Sequence, residues 1–313
     1  MTSNDERTRV GYVIMLDALG TRNRGTSHAI ETLDSIAYIE RELEKLAERN
    51  NGLPFGEKCT AHTLGDTFAF TISVPKPEFA SIQENKNNEP DFDFSDIAFT
   101  LEHVVSHPAR FILQLALLKN MPIRGAISFG EFAYGNNSLV GQAVSDVVAW
   151  HEKADWIGVV LTPKLGIQFE KSESFICGNY RGDFIQYDVP LSGKDKNAPN
   201  KAERLWCLSW AKKMDSLEFK KLAHDHGLRD RQLFELLQPF AMDFDAFNNY
   251  VKPEFPLADD RQFPPMSMEQ AQSLTCKLLR MYEPDFQCPD SAIAKYRNTF
   301  AYFTHDWQYG RGD

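Results

Sequence analysis

The sequence predicts an α+β fold of the ferredoxin-like type, and three observations lead to that prediction. The apolar run from Val10 to Leu16 is rich in Val, Ile and Leu and too short for a helix, which indicates a buried strand. The pair Gly65-Asp66 separates two further strand-like runs and therefore predicts a tight hairpin. Together with two helical stretches, the elements follow the order β-α-β-β-α-β, which is the split βαβ arrangement.

Apolar residues at helical spacing predict the two helices of this plan. The first is expected to run from an N-cap at Ser27 to about Asn50. Its predicted apolar face consists of Ile30, Leu33, Ile36, Ala37, Leu43, Leu46 and Ala47. The second is expected from about Ser95 to Lys119, with a break or kink at Pro108. Prolines, asparagines and charged residues in 75–90 predict a surface insertion between them.

The sequence after the second helix predicts the last elements of the core and then a C-terminal extension. The expected closing elements are a strand over 122–131, a loop over 134–138, a helix from Gly141 to about Ala154, a strand from Gly158 to Leu161 and a hairpin that ends near Pro190. A polar linker over 192–201 precedes a further strand at 205–210 and an aromatic-rich, mostly helical extension. We therefore predict a catalytic domain over 1–191 and, over 192–313, a linker, a final strand and a helical extension that covers the core or supports a dimer.

Composition excludes several classes of protein. A net charge of −10 argues against a protein that coats DNA or RNA, because such proteins need a basic face. No apolar run reaches the roughly 18 residues of a membrane span, so no membrane partner is expected. The five cysteines are scattered and form no Cys-x-x-Cys pair, which argues against disulfides and structural zinc. The polar N-terminal residues contain no apolar signal region, and we expect a cytoplasmic protein.

Two carboxylates follow apolar strands, and the topology is expected to bring them together. Asp17 ends the first strand and Asp66 lies in the hairpin turn. If these strands are neighbours, both side chains lie at one edge of the sheet, where they could hold hard divalent cations. The structural alternatives are that Asp17 only caps a strand end and that Asp66 is only a turn residue.

Three blocks of sequence, in this order, resemble the class III nucleotidyl cyclase catalytic domain over roughly residues 9–165. The residues LDALG at 16–20 are similar to the first metal-aspartate motif of that family, with Thr21 in place of its usual phenylalanine. The residues TLGDTF at 63–68 are similar to the second such motif. IRGAISFGE at 123–131 and VGQAVSDVVAWHE at 140–152 are similar to the strand and helix that close the nucleotide site.

Several positions depart from the pattern of purine cyclases. Ser145 and Ala149 stand where the family carries an asparagine that orients the ribose and an arginine that stabilises the transition state. His62 and Ser138 stand at the positions that read a purine base. With the metal motifs kept and the base-reading positions changed, the chain resembles the bacterial pyrimidine cyclases of anti-phage signalling systems.

The resemblance implies three groups of site residues. The implied catalytic residues are Asp17, Asp66 and Arg124, where Arg124 would bind the triphosphate. Two divalent ions, Mn²⁺ or Mg²⁺, would be held by Asp17, Ala18 and Asp66. The implied nucleotide-binding residues are Ala18, Leu19, Gly20 and Thr21, through their backbone N–H groups, and His62, or its neighbour Thr60, at the base.

The implied activity converts UTP, or less favourably CTP, to the 3′,5′-cyclic nucleotide and pyrophosphate. The resemblance further implies a homodimer with its sites at the interface and a separate effector that senses the product. The cation missing at Ala149 could come from Arg22, Arg24 or Lys194, among which the sequence does not choose. The alternatives are a degenerate cyclase-like domain that binds a nucleotide without turnover, and a purine cyclase with unusual base contacts.

Overall fold

A computed structural model gives the fold and describes most of the first two thirds of the chain. The described residues are 7–19, 26–50, 58–84, 96–119, 121–135, 138–178, 182–191, 202–210, 295, 298–299, 301–302 and 305. Most of the predicted linker and helical extension therefore lies outside the described residues, and the division of the chain at residue 191 stays a prediction.

The first part of the chain forms the predicted order of strands and helices. Its elements are strand β1 (Thr8–Ala18), helix α1 (Thr26–Asn50), strands β2 (Lys58–Leu64) and β3 (Thr67–Pro75), helix α2 (Lys76–Glu84), helix α3 (Ile97–Thr100), a π-helical turn (Leu101–Val105), helix α4 (Ser106–Leu118) and strand β4 (Ile123–Gly135). The later elements are strand β5 (Ser138–Val140), helix α5 (Gln142–His151), strand β6 (Gly158–Leu161), helices α6 (Pro163–Lys171) and α7 (Glu173–Ile176), and strands β7 (Phe184–Pro190) and β8 (Ala202–Leu208).

The eight strands form one sheet in the order β2-β3-β1-β4-β6-β8-β7, with β5 paired to β4. The four strands β2-β3-β1-β4 are antiparallel to their neighbours, as the split βαβ plan requires. Strand β6 adds in parallel to β4, and α5 makes the connection between them. The α+β prediction is confirmed, and β8 extends the same sheet by lying between β6 and β7.

One face of the central strands carries the large apolar side chains of the core. Tyr12, Ile14 and Phe68 have exposures of 1% or less, and the Tyr12 ring lies 4.8 Å from that of Phe129. The opposite face of β1 and β4 carries Val13, Met15 and Ala126 beside the polar Ser128. Helix α5 packs on this face, where Ser128 Oγ donates a hydrogen bond to the carbonyl of Ala143. Asp17 lies on the same face, at the end of β1.

Several local predictions were wrong. Helix α1 begins at Thr26, so Ser27 lies inside it rather than at its cap. Ile30 and Leu33 are 65% and 63% exposed, because the contact of α1 with the core is made by later residues of the helix, namely Ile39, Leu43, Leu46 and Ala47. In the surface insertion predicted over 75–90, residues 76–84 form the largely exposed helix α2, with Pro77 in the first turn, where proline is tolerated.

The predicted break near Pro108 is a π-helical turn just before it. Pro108 has no N–H to donate to the carbonyl of Val104, so one hydrogen bond of a regular α-helix cannot form there. The π turn over Leu101–Val105 accommodates this change in the hydrogen-bond pattern. The hairpin predicted before Pro190 was wrong: α6 and α7 occupy 163–176, and the hairpin is formed by β7 with β8.

Gly125 allows β1 and β4 to approach closely, and it gives a stability prediction. A Cβ atom at Gly125 would meet the carbonyl oxygen of Met15 and the side chain of Leu16 closer than real contacts allow. We expect Gly125→Ala to lower the free energy of unfolding by about 3 kcal/mol, as overpacking does. Gly135→Ala on the same strand is the control, because nothing lies within 4 Å of its added Cβ. Urea unfolding of both variants measures the difference, and equal stabilities would contradict the packing account.

Candidate active site

Asp17 lies at the end of β1 between two neighbouring strands. Its register partners are Thr67 on β3 and Arg124 on β4. Thr67 Oγ1 donates a hydrogen bond of 3.2 Å to Asp17 Oδ1, and Arg124 Nη2 lies 3.9 Å from Asp17 Oδ2. The Asp17 side chain is 15% exposed, so the carboxylate is largely withdrawn from bulk water but still reaches the edge of the sheet.

Asp66 reaches the same edge through the turn between β2 and β3. Gly65 adopts a φ of 68°, which a hairpin turn requires and glycine accepts without strain. The N–H of Ala18 donates a 3.0 Å hydrogen bond to the carbonyl of Asp66, which fixes the turn beside the end of β1. The structure therefore brings Asp17 and Asp66 together at one sheet edge, while their role as metal ligands stays a prediction.

Burial is the main influence on the Asp17 carboxyl. Burial raises the pKa of Asp17 above its ordinary value, and the Arg124 guanidinium opposes that rise. The neighbouring charge of Asp66 raises the pKa of Asp17 further, whereas the Thr67 hydrogen bond and His151 lower it. A carboxylate that is destabilised by burial and by a second carboxylate gains most from a bound cation.

The predicted triphosphate cradle is only partly within the described residues. The N–H of Ala18 is bonded to Asp66, and the N–H of Leu19 donates a 2.8 Å bond to the carbonyl of Pro122. Both groups hold the backbone in this arrangement and are not directed to a phosphate, so the predicted N–H cradle does not form at these two residues. Gly20 and Thr21 lie outside the described residues.

Arg124 is held inside the site rather than extended from it. Its side chain is 11% exposed, and Nη1 donates a 3.1 Å bond to the carbonyl of Ala154. Its other terminal nitrogen faces Asp17. In this position the guanidinium offsets the carboxylate charge, and its predicted contact with the triphosphate stays a prediction.

His62 lies on the same face of the sheet as Asp17. It pairs with Ala69, which in turn pairs with Met15, and directly opposed residues of antiparallel strands share a face. Its Nε2 lies 3.2 Å from Thr60 Oγ1, and its ring centroid lies 5.2 Å from that of Tyr134. Burial lowers the pKa of His62, so the neutral imidazole is favoured.

The structure also brings His151 and Glu152 to Asp17, which the sequence analysis missed. One ligand atom from each of these three side chains lies within 4.8 Å of the others. His151 Nδ1 lies 2.9 Å from the carbonyl of Val148, which can only accept a hydrogen bond, so Nδ1 carries the proton and Nε2 faces the carboxylates. The sequence signal was weak: a His-Glu pair at the end of an amphipathic helix is usually a packing and surface pair.

The donor set at this edge suits a divalent cation. Asp17 and Glu152 offer carboxylate oxygens, and His151 offers a nitrogen whose ring is oriented by a backbone carbonyl. Asp66 lies at the same edge but outside this group of close ligand atoms. Carboxylates favour Mg²⁺ and Mn²⁺, and imidazole shifts the preference toward transition metals such as Mn²⁺. These residues therefore fit the ions that the family resemblance implies.

Three of the four positions that depart from the purine-cyclase pattern are solvent-facing, and the fourth, His62, is half-buried. Ser138 on β5 and Ser145 and Ala149 on α5 are exposed in the described chain. The other proposed cation sources, Arg22, Arg24 and Lys194, lie outside the described residues.

No protein-family model and no curated protein matches the sequence. Among solved structures, the catalytic core of a rhodopsin-guanylyl cyclase with converted specificity, in complex with ATPαS, is 16% identical with a TM-score of 0.35. That match covers 65% of this chain and 96% of that one. An adenylate/guanylate cyclase/hydrolase from Silicibacter pomeroyi is 14% identical with a TM-score of 0.31, over 64% of this chain and 96% of that one.

Among the residues that the structure describes, no helix combines the length and apolar character that a membrane crossing demands.

Proposed function

We propose that the chain is a metal-dependent nucleotidyl cyclase that acts on a pyrimidine nucleoside triphosphate, UTP ahead of CTP. The observation that carries the proposal is the meeting of Asp17 and Asp66 at one sheet edge, joined by the Ala18-to-Asp66 backbone bond. The three sequence blocks that resemble class III cyclases supply the reaction class. The ribose 3′-hydroxyl would attack the α-phosphorus of the same nucleotide, and pyrophosphate would leave.

The residues of the edge have separate roles in this proposal. Asp17, with His151 and Glu152 beside it, and Asp66 at the same sheet edge would hold the divalent ions. Bound ions of this kind lower the pKa of a coordinated hydroxyl and offset the charge of the leaving phosphates. Arg124 would keep the Asp17 carboxylate ionised and so ready to bind a cation. Positioning and charge stabilisation of this type are the main contributions that proteins make to phosphoryl transfer.

His62 supports a pyrimidine rather than a purine. The Nε2 of His62 already contacts Thr60 Oγ1, so the neutral imidazole offers a base its other ring nitrogen, Nδ1, without the charge of the purine-reading lysine that it replaces. Thr60 and Thr71, whose hydroxyl oxygens lie 2.6 Å apart, make the floor next to His62 polar. A base with a small polar edge would suit this surface.

A second candidate is a cyclase-like domain that binds a nucleotide without turnover. The exposed Ser145 and Ala149 favour it, because neither can orient the ribose or stabilise a transition state as the corresponding family residues would. Tight nucleotide binding with no product over hours would identify this case. Preferred turnover of ATP or GTP would instead identify a purine cyclase. The homodimer, the separate effector and the anti-phage role are further proposals that rest on the family resemblance alone.

The test of the proposal combines substrate choice with metal removal. Purified protein incubated with each of the four NTPs and Mn²⁺ is expected to release pyrophosphate and form a cyclic product from UTP or CTP. EDTA is expected to reduce that rate to background and added Mn²⁺ to restore it, because the acidic edge alone lacks the positive charge that the reaction needs. Chromatography with mass detection measures the product. Absence of a cyclic product from every NTP would remove the proposal.

A further inference from the structure

The end of the chain packs against the loop that follows α5. We call Lys295, Asn298, Thr299, Ala301, Tyr302 and His305 the C-terminal segment, and all six are helical. Asn298 Nδ2 donates a 2.8 Å bond to the carbonyl of Asp155, and the N–H of Ile157 donates a 2.7 Å bond to Thr299 Oγ1. Tyr302 is fully buried. These bonds fix the segment beside the candidate active site.

The side chain of Lys295 points toward the charged groups of that site. Its Nζ lies 4.0 Å from Asp155 Oδ1, and the side chain is 25% exposed. Burial and the nearby Arg124 guanidinium lower the pKa of Lys295, while Asp155, Asp17 and Glu152 raise it. Asp155 directly follows Ala154, whose carbonyl accepts the bond from Arg124 Nη1, and Arg124 Nη2 lies 3.9 Å from Asp17 Oδ2. These contacts connect Lys295 to the carboxylate at the end of β1.

The ammonium group of Lys295 retains its capacity to bind an oxygen ligand. A separation of 4.0 Å is an ion pair but not a hydrogen bond, and an ammonium has three N–H donors. Within the described residues, Asp155 is its one ion-pair partner. A half-buried cation with donors to spare, next to a group of carboxylates that fits metal ions, suits a phosphate that is bound together with those ions.

We propose that Lys295 is a phosphate-binding residue of the active site, delivered by the C-terminal segment to the sheet edge at Asp17. This inference rests on the proposed function and extends it, because it names a source for the cation that is missing at Ala149. It also gives the C-terminal segment a direct part in the site, beyond covering the core.

The experiment measures binding of inorganic pyrophosphate in the presence of Mn²⁺ by calorimetry, on the full chain. Lys295→Met keeps the length and apolar stem of the side chain but removes the charge. We expect its dissociation constant to rise about tenfold or more, the value of one charge-assisted hydrogen bond. Lys295→Arg should restore most of the affinity. Lys153→Met is the matched control, because Lys153 is exposed and its Nζ lies 4.0 Å from the Trp150 ring centroid.

The outcomes separate this inference from the proposed function. Wild-type affinity in Lys295→Met, with or without a lower melting temperature, would overturn the inference and reduce Lys295 to a structural partner of Asp155. Failure of the wild type to bind pyrophosphate with Mn²⁺ would overturn it as well. Binding that depends on Lys295 in a protein that makes no cyclic nucleotide from any NTP would support the inference and overturn the proposed cyclase activity.

Discussion

Replacing Asp17 by asparagine is expected to reduce cyclase turnover by at least a hundredfold, about the effect of disabling a metal site. The amide keeps the shape of the side chain and can still meet Thr67, but it no longer offers a charged oxygen to a cation. Initial rates with UTP and saturating Mn²⁺ measure the effect.

The same substitution should not destabilise the protein in EDTA. Because the pKa of Asp17 is raised in the folded chain, first by burial, the ionised carboxylate opposes folding. The contribution of Asp17 to stability is therefore fully present below the pKa that its carboxyl group has in the unfolded chain, and it is lost as pH rises through the pKa of the folded chain. At pH 7 the Asp17→Asn variant, with its neutral amide, should have a melting temperature equal to or above that of the wild type. A marked fall in melting temperature for Asp17→Asn would show that the carboxylate is structural and would contradict this account.

Asp183 gives the opposite case and serves as the control. It is buried, its Oδ1 lies 2.9 Å from Arg110 Nη2, and its Oδ2 accepts a 2.7 Å bond from Ser106 Oγ. Loss of one partner of a buried ion pair costs about 3 kcal/mol. We therefore expect Asp183→Asn to lower the melting temperature while the surviving folded protein keeps its turnover, the reverse of Asp17→Asn.

Asp66→Ala is expected to abolish turnover while the fold remains intact. Its carbonyl still accepts the bond from the N–H of Ala18, so the turn should persist when only the carboxylate is removed. We expect turnover to fall about a hundredfold or more, as it does when a residue that binds a catalytic metal ion directly is removed. Turnover at saturating Mn²⁺ and circular dichroism test the two halves of the prediction.

The control for Asp66 is Asp34→Ala, which removes an exposed carboxylate on α1 and should leave turnover unchanged. If Asp66→Ala retained wild-type turnover, Asp66 would be a turn residue only. The ions would then be held by Asp17 with His151 and Glu152, whose ligand atoms already lie within 4.8 Å of one another.

The central strands could be predicted from sequence because their local signals agree with the fold. The apolar run before Asp17 and the Gly65-Asp66 turn are short-range features, and the chain order then fixes which strands are neighbours. The convergence of Asp17 and Asp66 followed from that order. Residues 163–176 were mistaken for part of a hairpin because short apolar runs do not distinguish a strand from a buried helix turn.

Other members of the site depend on long-range packing that no local pattern reveals. His151 reaches Asp17 only because α5 packs on the Asp17 face of β1 and β4 and ends at that edge. Lys295 arrives from the far end of the chain through the bonds of Asn298 and Thr299. The bonds of Ala18 and Leu19 to backbone carbonyls likewise follow from the turn geometry, and the sequence motif alone suggested free N–H groups.

The most direct test of the account is the position of bound manganese in crystals grown with Mn²⁺ and a non-hydrolysable UTP analogue. Anomalous scattering locates the ions without reference to the proposed chemistry. We predict manganese bonded to carboxylate oxygens of both Asp17 and Asp66, next to the triphosphate. Manganese that contacts neither of these residues, or an analogue bound away from the end of β1, would contradict the central claim.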